Sequence, residues 1–70
     1  MTPEAKQMLV RILDNGETWP DLPIANQPFG RELMQLGYVE LVTPKAPYLP
    51  YAQLTRVGYR KAMALRAVLE

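Results

Sequence analysis

The 70-residue chain contains no cysteine and no histidine. Their absence removes disulfides, thiolate nucleophiles, imidazole bases and nearly every zinc geometry. No glycine-rich phosphate loop is present. The one acidic cluster, Asp14, Glu17 and Asp21, matches no calcium loop and suits capping or solubility at a helix end. The expectation is a protein that is not an enzyme and uses no cofactor or metal. Apolar runs stay far below bilayer-spanning length, and no basic-then-apolar leader opens the sequence. A cytoplasmic protein with no membrane partner is expected.

Strong net charge is lacking as well, since the formal value is only +1. Its distribution is uneven. Residues 1–40 carry Lys6, Arg11 and Arg31 against Glu4, Asp14, Glu17, Asp21, Glu32 and Glu40, a balance of −3. Residues 41–70 carry Lys45, Arg56, Arg60, Lys61 and Arg66 against Glu70, a balance of +4. The second half can therefore build a basic face. With 49% apolar and 21% charged residues, the composition is that of a globular chain. A chain this short buries only about 60% of its unfolded surface, so self-association or a very well-packed core is expected to support it.

The pass along the chain gives three helices and a hairpin. Thr2 can cap a helix whose first position is Pro3, and Ala5, Met8, Leu9, Ile12 and Leu13 form one apolar stripe. That predicts a helix over residues 3–14, ended by Asn15-Gly16. The stretch "WPDLPIANQP" holds three prolines. They leave room for no more than a helical turn, with Trp19, Leu22 and Ile24 as apolar anchors. Asn26 or Gln27 can cap the next helix, at about residues 27–36, with Phe29, Leu33 and Leu36 on one side and Gly37 as terminator. Residues 38–43 read as a strand and about 51–54 as its return, joined by a loop rich in proline. Thr55 caps a last helix that runs to the end of the sequence.

Two stretches carry a family resemblance. "FGRELMQLGYVEL", residues 29–41, resembles the winged-helix pattern of leucine-bearing helix, glycine stop and aliphatic strand. "LTRVGYRKA", residues 54–62, is similar to the junction where MarR-like winged helices leave the wing and enter the last helix. The fold class implied is α+β: a winged helix-turn-helix of three helices, the supporting one shortened or irregular, with a small antiparallel β-hairpin wing. Residues 1–70 would form a single domain, of the MarR-like or small phage type.

The resemblance implies binding of double-stranded DNA and regulation of transcription, with the helix before the hairpin in the major groove. Carried onto this sequence, it selects Asn26, Gln27, Arg31 and Gln35. Their chemistry suits the role, because Arg can bond guanine twice and Gln can do the same for adenine. In the wing, Lys45 suits phosphate, while Tyr48 and Tyr51 suit either stacking on bases or a protein-binding edge. Arg56 and Arg60 are expected at phosphates, with Lys61 as an addition. The last helix is apolar nearly all round, so Tyr59, Met63, Leu65, Val68 and Leu69 are expected at a homodimer interface, as MarR-like proteins pair through terminal helices. A winged-helix-shaped module that binds a protein partner instead, as an inhibitor or adaptor, stays open at this point.

Overall fold

The computed structural model describes residues 1–69, with side chains as far as Val68. Helix α1 spans Pro3–Asp14. Thr2 Oγ1 accepts the Ala5 N–H at 3.2 Å, and Pro3 occupies the first turn, where its missing N–H has no partner to lose. Ala5, Met8, Leu9 and Ile12 are buried as the stripe requires, with Leu13 packed beside them. Asn15 closes the helix onto Arg11 O at 2.9 Å. Gly16 and Glu17 then take φ of +79° and +69°, which swings the chain back toward the sheet.

Strand β1, Thr18–Pro20, was not expected. Three residues are too few to display a period of two, and this strand is defined by its partner rather than by its own pattern. Helix α2, Asp21–Asn26, follows at once. Of the two alternatives expected for the supporting helix, shortened or irregular, the first is found: six residues of regular helix. Pro20 stands at its N-cap and Pro23 lies in its first turn, positions whose N–H groups have no acceptor inside a helix. Ile24 is fully buried and Trp19 packs against the core, as anchors should. Leu22 is not an anchor. It is 65% exposed, on the outward side of α2 with Pro23 and Asn26.

Gln27, in extended conformation, separates α2 from α3, Pro28–Gln35. Gln27 occupies the N-cap but its side chain makes no capping bond, and Asn26 belongs to α2, so neither caps by side chain as expected. Gly30 explains how the two helices meet. A Cβ there would overlap the carbonyl oxygen of Ile24, so α3 rests on α2 at backbone contact. This contact centres the buried side of α3 on Gly30 and Leu33. Leu36, expected with Phe29 and Leu33 on the core side, lies on the flank and is 47% exposed. Met34, by contrast, packs against the core.

Strands β2, Val39–Val42, and β3, Tyr51–Leu54, pair antiparallel as expected, with Val39 opposite Leu54 and Val42 opposite Tyr51. β1 adds to the other side of β3, Trp19 opposite Ala52, giving the order β1-β3-β2. Alternation sets Trp19, Ala52, Leu54 and Val39 toward the helices. Gln53 and Glu40 share the other face and bond to each other at 2.6 Å.

Helix α4 spans Arg56–Leu69. Leu54, Thr55, Gly58 and Ala62 of "LTRVGYRKA" each have a task. Leu54 lies in the core. Thr55 Oγ1 accepts the Gly58 N–H at 3.0 Å and donates to Gly37 O at 2.6 Å. Gly58 lets α4 cross Tyr38, whose carbonyl oxygen a Cβ would overlap, and Ala62 is fully buried. Arg66 pairs with Asp14 of α1. The fold is thus α+β, with four helices and a three-stranded antiparallel sheet where three helices and a hairpin were expected. Its core of ten buried residues contains no polar or charged side chain among the described residues. No helix among them is long and apolar enough to cross a membrane.

Candidate nucleic-acid interface

At about 100° per residue, Gln27, Arg31 and Gln35 fall on one side of α3, opposite Gly30 and Leu33. All three are exposed, as is Asn26 at the end of α2. Arg31 Nε donates to Ala25 O at 3.3 Å, so the guanidinium is braced across the α2–α3 turn. The bond also satisfies one of the carbonyls left over at the C-terminus of α2, where a cation is favourable. No partner is seen for its two terminal nitrogens among the described residues. Those are the nitrogens that a base edge or phosphate would need.

The carboxylate nearest in sequence is turned away. Glu32 is half-buried, and its Oε2 accepts the Thr2 N–H at 2.9 Å at the start of α1. Arg31 is therefore the one charged side chain on the outward side of α3, among the described residues. Comparison with protein-family models, curated proteins and solved structures finds no match for this chain. The site stands on its own geometry.

The remaining expected residues lie in two further places. Lys45 and Tyr48 are exposed in the loop between β2 and β3, where Tyr48 N–H donates to Lys45 O at 3.2 Å. Arg56 and Arg60, one turn apart, are exposed on the outward side of α4. These two groups sit at opposite ends of the hairpin, because α4 begins at its base and the loop forms its tip. A four-residue strand separates them by about 10 Å. The base, however, adjoins α3. Thr55 bonds Gly37 and Tyr38, which places Arg56 next to the end of the helix that carries Gln35.

The expected dimer surface is only partly free. Tyr59, Met63 and Val68 are exposed at 40%, 47% and 84%. Leu65 is half-buried and packs against the chain's own core. The reason is helical phase: Gly58, Ala62 and Leu65 face inward together, and their small or branched side chains let α4 lie against α1. The side chain of Leu69 lies outside the described residues. Between α1 and α3 a shallow groove of about 280 Å³ is lined by Thr2, Glu4, Pro28, Phe29 and Glu32.

Sequence reasoning passed over Gly30 and Ala25, which set the helix crossing and hold the arginine. A lone glycine inside a helical pattern was the available signal for the first. A backbone carbonyl leaves no signal in sequence.

Proposed function

We propose that this chain is a small winged helix-turn-helix protein that binds double-stranded DNA as a regulator of transcription. α2 and α3 are its helix-turn-helix and the β2–β3 hairpin its wing. The observation that carries the reading is the outward side of α3. There Gln27, a braced Arg31 and Gln35 stand together without a carboxylate. The order helix, strand, helix, helix, strand, strand, helix, with the sheet order β1-β3-β2, supports the same reading. In it α3 enters the major groove, with Asn26 and the start of α3 at its edge, while Arg56 and Arg60 neutralise phosphates.

Tyr59, Met63 and Val68 would pair two copies and so present two α3 helices to two half-sites. The Met63→Ser variant is expected to shift sedimentation toward monomer. Unchanged sedimentation would remove α4 from the interface. For DNA binding itself, the test is anisotropy of a labelled mixed-sequence duplex titrated at rising salt. The expected result is affinity that falls steeply with salt, because counterions released on binding gain less entropy as the bulk salt rises. Failure to bind at low salt would end this reading.

One observation favours a second reading, a module that docks on a protein. The outward side of α2 carries an apolar pair, Leu22 at 65% exposure beside Pro23, ahead of Asn26 and next to the proposed reading helix. Leu22→Ser separates the two. Under the DNA reading it leaves duplex affinity nearly unchanged.

A further inference from the structure

The loop between β2 and β3 offers phosphates a single cation. Its one charge is Lys45, and its tip presents Tyr48 at 73% and Leu49 at 81% exposure. Leu41, on the same hairpin two pairs from the loop, is 43% exposed. Single exposed apolar residues are ordinary, but here they gather at one end of a hairpin. Pro44, Pro47 and Pro50 restrict the loop backbone, and the bond from Tyr48 N–H to Lys45 O closes a turn at the tip. The tip is thus both apolar and stiff.

Lys45 is the one charge in the loop, Glu40 stands on the same hairpin bonded to Gln53, and Arg56 and Arg60 lie about 10 Å away at its base. The tip therefore fits an apolar interior beside a single anionic group, which a stacked base step with its phosphate offers under the DNA reading. A protein partner would need an apolar pocket beside a carboxylate.

We propose that the loop tip is an apolar wedge: Leu49, flanked by Tyr48, enters between base pairs from the minor groove and bends the duplex. This rests on the DNA reading above and goes beyond it. Lys45 at the start of the loop holds the adjacent phosphate. Side chains of this kind unstack a step and kink the duplex by about 20–90°. Pyrimidine–purine steps such as TA open most easily, so the wedge selects them without a hydrogen bond to any base.

The experiment uses a duplex of about 30 base pairs with a central TA step and a donor–acceptor pair at its ends, beside a copy with a stiff A-tract there. Anisotropy reads binding and energy transfer reads bending on the same molecules. Wild type is expected to raise transfer on the TA duplex well above that on the A-tract duplex. Leu49→Ser changes an exposed loop residue, so circular dichroism should match wild type. It is expected to keep affinity within about threefold, since lost Leu burial and avoided unstacking offset each other, while transfer returns to the free-duplex value. Tyr48→Phe should still bend. Wild type that binds but leaves the duplex straight overturns the wedge and spares the DNA reading, as does Leu49→Ser that bends fully. No binding by either protein overturns both.

Discussion

Helices α3 and α4 are built alike and finished differently. Each crosses its neighbour at a glycine whose Cβ would overlap a backbone carbonyl, Ile24 for Gly30 and Tyr38 for Gly58. Each turns arginine outward. On α3 that arginine is braced by a hydrogen bond from its Nε and flanked by two glutamines that can read base edges. On α4, Arg56 and Arg60 share their helix with exposed Tyr59, Met63 and Val68, and no hydrogen bond among the described residues fixes either guanidinium. The difference separates a positioned side chain from a charge that acts by being nearby. Under the proposed DNA binding, specificity would belong with the first and salt-dependent affinity with the second.

The glycine crossings give the strongest way to break this comparison. In an open helix interior Gly→Ala stabilises by about 1 kcal/mol. At Gly30 or Gly58 the new methyl meets a backbone atom that no rotamer change can move, so a loss of about 3 kcal/mol is expected. That is a large share of the roughly 3–10 kcal/mol such a domain has. Urea denaturation of both variants checks the sign, and a stabilised Gly30→Ala would show that α2 and α3 do not touch as described. Next in size is Thr55→Ala, which loses the cap of α4 and the bond to Gly37. A loss of about 1–2 kcal/mol by the same measurement is expected, with Thr55→Ser recovering most of it.

Binding variants sharpen the contrast further. Arg56→Ala is expected to weaken all duplexes alike and to reduce the salt slope by about 1, as loss of one phosphate contact should. A change in sequence preference from Arg56→Ala would erase the division of labour between the two helices. The smallest effect is expected from Asp14→Ala, which removes the ion pair between Asp14 and Arg66 at the far end of α4. Both side chains are nearly half exposed, so a loss of about 0.5 kcal/mol or less in urea is the expected result.

The same two helices show what the sequence made legible. The junction into α4 was readable because cap, glycine and alanine are local and fixed in spacing. β2, β3 and α1 were readable for the same reason, through the Thr2 cap, the stripe from Ala5 to Leu13 and the β-rich run from Tyr38. What failed depends on contacts between distant segments. β1 exists because β3 pairs with it. Leu36 reads as inward from its helical spacing and Leu22 from its apolar character, but the backbone contact at Gly30 rotates the core side of α3 away from Leu36, and Ile24 alone anchors α2. Leu65 reads from sequence as a dimer residue, and the packing of α4 against α1 gives it neighbours within its own chain. At the site, the residue types on α3 were legible, whereas the bracing of Arg31 and the turning away of Glu32 were not.

The claim that Arg31 reads a base is tested most directly by selection. Wild type and Arg31→Ala, each shown to be folded by circular dichroism, are used to enrich duplexes from a randomised pool. The account predicts that wild type enriches a motif containing guanine. Arg31→Ala should keep the motif elsewhere and lose preference at that position, at a cost of about 1–3 kcal/mol on the parent sequence. Enrichment of the same motif by both proteins, with guanine equally preferred, would contradict it.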